Sequence, residues 1–481
     1  MILYAIILVP IIGAFIAAIF PNERLRPWIV PFTAIPHLAL VLYALANRPP
    51  AVAHGMLGLD ALGALILFVV SVLFLANSIY TIGYLTCHES WGNRTFIVCL
   101  LSFLSAMSMA TVARHLGLLW VAVEATTLVS APLIYYNHSR FSIEATWKYL
   151  LLCSVGIALA MLGILFVGYA GLMGNGVADI SMDSLLSTAS TCSKPWLRAG
   201  FVFLLVGFGT KMGLAPLHTW KPDAYGEAPG MVGGLLAGGL TSVAFLAILR
   251  AVQIMGAAGE QMLCRQALMG LGVTSLLVAA IFVIQQRDIK RMLAYSSVEH
   301  MGILAIGVSV GGLATYGAMF HVLNNAFTKG ALFLSAGNIH RFYGSKHRCE
   351  ILGSMGSLPF SAGCFLIGYL AITGSPPFAP FLSEFSIFRG IFDGGHYLLG
   401  GAFIILLAII FIGMGSTVLP VTLGPSYEEH KEASTQYFRE TTLTIVSPIL
   451  LLVVVLFLGI YLPAPLKNMF MQAAALVEVG R

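Results

Sequence analysis

The stretch Gly207-Phe208-Gly209-Thr210-Lys211-Met212-Gly213-Leu214-Ala215-Pro216-Leu217-His218-Thr219-Trp220 decides how this chain is built. It closes an apolar run, 199–220, that has the length of a membrane-spanning helix. Pro216 removes one backbone hydrogen bond and clashes a turn back, and Gly209 and Gly213 weaken the same segment, so the span is expected to break. Non-helical backbone at membrane depth survives only inside protein or beside water. Lys211 lies too deep to snorkel to a headgroup, so it is expected to border a hydrated cavity.

The rest of the chain supports a bilayer setting. Of 481 residues, 58% are apolar and only 9% charged, against about 25% charged in ordinary soluble proteins. A mean hydropathy of +0.91 agrees. This composition excludes a soluble enzyme, a disordered protein and a nucleic-acid binder. The seven cysteines (87, 99, 153, 192, 264, 349 and 364) form no C-x-x-C pair. They predict neither a disulfide framework nor a zinc or iron–sulfur site.

A ruler of about 20 apolar residues finds fourteen spans, near 2–20, 28–46, 59–83, 95–112, 115–136, 144–171, 199–220, 229–253, 266–284, 292–310, 314–340, 358–392, 398–420 and 442–462. No basic residue precedes the first, so a cleaved signal peptide is not expected. Of the 25 Lys and Arg, 14 fall in loops after odd-numbered spans, Lys221 and Lys290 among them, and 9 on the opposite side. The remaining two, Lys211 and Lys329, are inside spans. The bias puts the odd loops in the cytoplasm and both termini outside. The expected fold is an all-α polytopic membrane protein of about 14 helices. The charged stretch Tyr427-Glu428-Glu429-His430-Lys431-Glu432 reads as a solvated loop.

An ionisable residue at mid-membrane is a functional candidate by default. Span 5 carries Glu124, with no cation three or four residues away. Span 7 carries Lys211. Span 11 carries His321, Asn325 and Lys329, a polar stripe at i, i+4 and i+8. Span 12 carries Glu384 after Pro376, Pro377 and Pro380, so it too is expected to be interrupted.

Short phrases recur five spans apart: Leu214-Ala215-Pro216-Leu217 with Phe378-Ala379-Pro380-Phe381, Ala145-Thr146-Trp147-Lys148 with Ala326-Phe327-Thr328-Lys329, and Val123-Glu124 with Val298-Glu299. An odd offset makes spans 4–8 and 9–13 inverted repeats, the pattern of transporters with an ion path at mid-depth. The units are then 1–94, 95–253, 254–423 and 424–481. Lysine, histidine and carboxylate suit protons as cargo. Opposite charges about 4 Å apart interact by about 4 kcal/mol at an effective dielectric of 20. Moving Glu124 relative to Lys211 therefore suffices to capture or release a proton.

The chain resembles the antiporter-like membrane subunits shared by respiratory complex I, group 4 membrane-bound hydrogenases and Mrp sodium/proton antiporters. The resemblance runs from about residue 60 to 420. It is most specific in Lys211 to Ala224, continuing to Glu227-Ala228-Pro229, and is supported by Val123 to Leu128 and Asp288 to Ser297. Glu124-Ala125-Thr126-Thr127 and Ser297-Val298-Glu299-His300-Met301-Gly302 look most like the F subunit of hydrogenase-4-type complexes. The resemblance implies an uptake pair, Glu124 and Lys211, a central polar axis containing His321 and Lys329, and an exit residue, Glu384. Two departures stand out: residues 231–249 contain no ionisable group where many members carry a lysine or histidine, and a second span 11 histidine is Asn325 here. Thr241 and Ser242 lie near the first gap. Secondary candidates for the path are Lys148, His218, Thr241, Ser242, Glu299, His300 and Asn325.

The leading expectation is a proton-translocating subunit, without cofactor or metal, in the cytoplasmic membrane of a bacterium or archaeon. Its partners would be membrane and peripheral subunits of a hydrogenase- or complex I-like assembly, the lipid bilayer and protons. The alternatives are a sodium/proton antiporter subunit and a structural scaffold whose polar residues are interhelical glue.

Overall fold

The computed structural model describes residues 1–86, 92–425 and 438–478. The loop stretch 427–432 lies outside them. Among the described residues there is no β-strand, only isolated bridges, and nearly everything else is helix. The first half contains α1 (Ile2–Ile19), α2 (Ile29–Asn47), α3 (Ala61–Thr86), α4 (Arg94–Val112), α5 (Leu116–Ile134) and α6 (Arg140–Asn175). A short α7 (Met182–Thr188) precedes α8 (Lys194–Met212) and α9 (Trp220–Glu227). Next come α10 (Gly230–Gly234), a π-helical stretch Leu235–Leu240, and α11 (Thr241–Ala257). The second half holds α12 (Gln261–Ile284), α13 (Ile289–Val310), α14 (Leu313–Tyr343), α15 (Pro359–Ile372), α16 (Ala379–Asp393), α17 (Tyr397–Leu423), α18 (Thr442–Ile460) and α19 (Ala464–Val477).

Local chemistry sets the boundaries. Ser139 opens α6 by accepting the Ser142 N–H at 2.9 Å, and Asp288 opens α13 by accepting from the N–H groups of Lys290 and Arg291. α6 runs several residues past the expected 144–171 at each end. α19 was not anticipated, because its short run is less apolar than a span.

Among the described residues, eleven helices are long and apolar enough to cross a membrane. The other three expected spans are α8 and α14, whose apolar pattern is diluted by Lys211 and by the stripe from His321 to Lys329, and the pair α15/α16, each too short to cross alone at 14 and 15 residues. The chain is a multi-pass membrane protein. Phe15, Phe32, Trp147 and Ile412 face outward as lipid-contacting surface, whereas Lys211, Lys329, His300 and His321 are wholly buried. The polar groups are in the middle and the apolar ones outside, which suits hydrocarbon as solvent.

Neighbouring helices recur in order: α4 on α5, α5 on α6 and α6 on α8, then α12 on α13, α13 on α14 and α14 on α16. α3 touches both series. α6 and α8 approach so closely that a Cβ on Gly207 would overlap the backbone of α6 at Gly156, so only glycine fits.

Both expected breaks are present. α8 stops at Met212, with Gly213 at φ +76, and α9 begins at Trp220. The freed backbone groups are met by side chains: Ala215 N–H donates to Ser275 Oγ at 2.9 Å, and Trp220 Nε1 donates to the Thr210 carbonyl at 2.8 Å. Pro216 lies in this break, and Pro376 and Pro377 lie in the second, between α15 and α16; Pro380 sits in the first turn of α16. The mate of the second break is α18, whose Gly459 lets its backbone touch Pro377 and Phe378.

Alternating crossings gather the loops at two ends. At one end Lys148 pairs with Glu144 and Asp223, Arg291 with Asp223, and Lys346 with Glu227. At the other, Asp60 pairs with Arg114 and Arg250, and Arg114 with Asp183. The first set comes from loops after odd spans and the second from loops after even ones. Four residues counted as loop cations are almost fully buried: Arg26, Lys221 and Lys290 from the odd side and Arg250 from the other.

Candidate functional site

The first cluster joins α5, α6 and α8. Glu124 Oε2 accepts from Thr127 Oγ1 at 3.1 Å, and Thr127 Oγ1 accepts from Lys211 Nζ at 2.8 Å. Glu124 and Lys211 are thus linked through one hydroxyl rather than by a direct ion pair. The i, i+3 spacing on α5 places Thr127 beside Glu124. Ser154 Oγ holds the second carboxylate oxygen at 2.9 Å. Lys211 Nζ also donates to Tyr149 OH at 2.8 Å and lies 4.7 Å from the centre of that ring. Tyr149 in turn shares a 2.6 Å hydrogen bond with Ser130 Oγ. Lys211, Thr127, Tyr149 and Ser130 are fully buried, while Glu124 is half-buried at the edge of the cluster.

Thr127→Val keeps the shape and removes the hydroxyl. A hydrogen bond to a charged group is worth about 1.5–3 kcal/mol, so proton transport by the assembled complex in vesicles is expected to fall at least about tenfold. Thr127→Ser is expected to keep most of it; equal rates for Val and the parent would remove the hydroxyl from the path.

The second cluster joins α13, α14 and α16. His300 Nδ1 and His321 Nε2 lie 3.0 Å apart, and His321 Nδ1 lies 3.0 Å from Ser383 Oγ. Asn324 Nδ2 donates to Ser383 Oγ and to the Ala379 carbonyl, which fixes α16 against α14. Glu384 is buried, with Oε1 unpartnered, and its carboxylate packs where a Cβ on Gly374 would stand. Glu299 accepts from Ser296 Oγ at 3.2 Å, with His300 Nε2 at 3.9 Å. Lys329 Nζ donates to the Leu293 carbonyl at 3.3 Å, and its charge is felt at Glu299 and His300. Both amide atoms of Asn325 are buried and unpartnered, as is His300 Nε2.

Between the clusters stands Lys221, which sequence reasoning placed in a loop. It is wholly buried and donates to Ser297 Oγ at 3.2 Å.

The remaining candidates lie apart from this file. Lys148 is exposed in the surface ion cluster with Glu144 and Asp223, so its phrase match with Lys329 does not carry a matching environment. His218 sits in the first break with Nδ1 unpartnered, its ring 6.1 Å from that of Tyr295. Thr241 and Ser242 donate to the Ala237 and Gly238 carbonyls of their own helix and to no relay side chain. The site residues not anticipated are Thr127, Ser130, Tyr149, Ser154, Lys221, Ser297 and Ser383. For Thr127 the signal was its spacing from Glu124. For Lys221 it was Pro216, since a break resets which residues face inward.

Among the described residues, His300, His321 and Glu384 offer three possible metal-ligand atoms, all within 4.8 Å of one another. The two histidine nitrogens that face each other are already at hydrogen-bond distance. That spacing suits passing a proton between tautomers rather than enclosing an ion. The array consists of buried and half-buried ionisable groups, some of them joined through single hydrogen bonds.

A multi-pass helical bundle with two broken helices defines a membrane protein with ionisable groups enclosed in its core. The chain belongs to the family described as NADH:quinone oxidoreductase/Mrp antiporter, transmembrane, which matches residues 113–411. It is 29% identical over 484 residues to "Hydrogenase-4 component F homolog" of Methylacidiphilum infernorum, covering 98% of this chain and 99% of that one. It is 31% identical over 342 residues to NADH-quinone oxidoreductase subunit N of Desulforudis audaxviator, covering 71% of this chain and 67% of that one. Among solved structures, a chain of the membrane-bound sulfane sulfur reductase, an archaeal respiratory membrane complex, superposes with a TM-score of 0.88 at 19% identity, covering 99% of this chain and 97% of that one. That likeness shows the fold.

Proposed function

We propose that this chain is a proton-translocating, antiporter-like subunit of an energy-converting redox complex of the hydrogenase-4 or complex I type. The observation that carries the reading is the hydrogen-bonded sequence Glu124–Thr127–Lys211, which runs from a half-buried carboxylate to a wholly buried amine. Glu124 takes up the proton at the edge of the cluster, Thr127 hands it on, and Lys211 stores it. Lys329, Glu299 and the His300–His321 pair form the distal stage, and Glu384 releases it. Supporting the assembly are relatives that are themselves named as components of hydrogenase-4 and NADH-quinone oxidoreductase. The redox chemistry belongs to partner subunits, and the working location is the cytoplasmic membrane of a bacterium or archaeon with both termini outside. The recurring helix order and the two interrupted helices support reading α4–α11 and α12–α17 as inverted repeats.

A sodium/proton antiporter subunit is the second reading, favoured by the family's Mrp members. Both are tested with the assembled complex in sealed vesicles, measuring acidification with and without sodium. Glu124→Gln removes the titrating group and is expected to lower proton transport at least about tenfold. Unaltered transport would exclude Glu124 from the path, and a requirement for sodium would favour the second reading. A scaffold role predicts that the variants change assembly alone.

A further inference from the structure

The helix most completely enclosed by protein, α10 through α11, has no ionisable side chain between Met231 and Leu249, and its Thr241 and Ser242 hydroxyls are tied to their own helix. A proton leaving Lys211 therefore finds no carrier on that helix on its way to Lys329. The broken helix supplies one instead. Lys221, in the first turn of α9, is wholly buried, donates to Ser297 Oγ on α13 and lies 5.9 Å from the centre of the Tyr225 ring. No carboxylate pairs with it among the described residues. Gly213, in the break itself, leaves the room: a Cβ there would overlap Cε of Lys221. The break thus both turns the chain and clears a slot for this side chain.

A permanently charged, unpaired ammonium at that depth costs several kcal/mol and is a poor structural element. An amine that is charged only in passing avoids most of that cost.

We propose that Lys221 is the carrier that joins the Lys211 half of the path to the Lys329 half, with Ser297 as its outgoing contact. The neutral amine takes one proton from the Lys211 side. An N–H bond at Nζ then breaks, Ser297 Oγ receives that proton while its own O–H proton moves on towards the Lys329 amine, and Lys221 returns to neutral. This proposal rests on the proton-transport reading above.

The test uses the assembled complex in sealed vesicles, comparing the parent with Lys221→Met, Lys221→Arg, Ser297→Ala and Lys211→Met. Methionine keeps the unbranched stem and removes the charge. Arginine keeps the charge but does not deprotonate. Both are expected to lower acidification at least about tenfold with the complex intact, because each removes a site that must gain and lose a proton. Ser297→Ala, which leaves the lysine in its slot, is expected to slow transport severalfold. Parent-like transport in Lys221→Arg would mean that only the charge matters, and would overturn the proposal. So would parent-like transport in Lys221→Met or in Ser297→Ala. If Lys211→Met also leaves transport intact, the proton-transport reading fails; if Lys211→Met abolishes it while the Lys221 variants do not, only the present proposal fails.

Discussion

Lys211→Met is expected to abolish proton transport while the complex still assembles. The side chain is wholly buried, so methionine fills its volume without exposing new surface. What disappears is the α8 amine that, in the proposed path, takes the proton from the Glu124–Thr127 step. Thr127 and Tyr149 lose the donor that both accept from, and Glu124 keeps only hydroxyl contacts. Without a base at that point the proton must cross mid-membrane unsupported, which costs about 2.5–3.5 kcal/mol or more. That barrier corresponds to a rate loss of about a hundredfold. The measurement is acidification of sealed vesicles by the assembled complex, normalised to the amount of this subunit present. Transport within a few fold of the parent would show that protons pass elsewhere.

The two broken helices were legible because each break has a local cause: Pro216 with Gly213 in the first, Pro376 and Pro377 with Gly374 in the second. The ionisable residues within spans were equally legible, since a Lys or Glu amid apolar neighbours stands out against a hydrocarbon background. What the pattern could not give is which side chains meet. Glu124 and Lys211 are far apart in the chain, and the hydroxyl that joins them, Thr127, and the second acceptor of Lys211, Tyr149, look like ordinary helix residues until α5, α6 and α8 are packed together. Lys221 was misplaced for a different reason. Span 7 was expected to end at Trp220, so Lys221, Pro222 and Asp223 read as the loop after it, whereas α9 restarts at Trp220 and carries Lys221 back into the bundle while leaving Asp223 at the surface ion cluster. Lys148 failed in the opposite direction. A four-residue phrase shared with Lys329 says nothing about helix rotation, and Lys148 points to the surface ions.

Arg250→Met is expected to give the largest loss of stability, in a part of the molecule remote from the proposed path. Arg250, on α11, is 1% exposed, and its guanidinium grips both carboxylate oxygens of Asp60, just before α3; Nη2 to Oδ1 is 2.8 Å. Gln253 Oε1 accepts from the same guanidinium at 3.1 Å. Asp60 also accepts from Arg114 at 3.0 Å and from the Gly63 N–H at 2.9 Å, so this carboxylate clamps α3, α11 and the α4–α5 loop. Removing one partner of a buried pair costs about 3–5 kcal/mol, because the other charge stays buried. Arg114 remains beside Asp60, which places the expected loss at the lower end, about 3 kcal/mol. Arg250→Lys is expected to lose less, since it keeps the charge but not the two-pronged geometry. Burial alone would raise the Asp60 carboxyl, but the charges and hydrogen bonds of Arg250, the Gly63 N–H and the charge of Arg114 outweigh it and hold it down to about 2, from an ordinary 3.8. A carboxyl lowered on folding contributes its stability in full above its ordinary value and loses it as pH falls towards its folded value. The gap in melting temperature between the parent and Arg250→Met in detergent should therefore be widest near neutral pH and narrow as pH drops from 3.8 towards 2. Indistinguishable melting at neutral pH, or a gap that widens on acidification, would show that Asp60 is not held by Arg250.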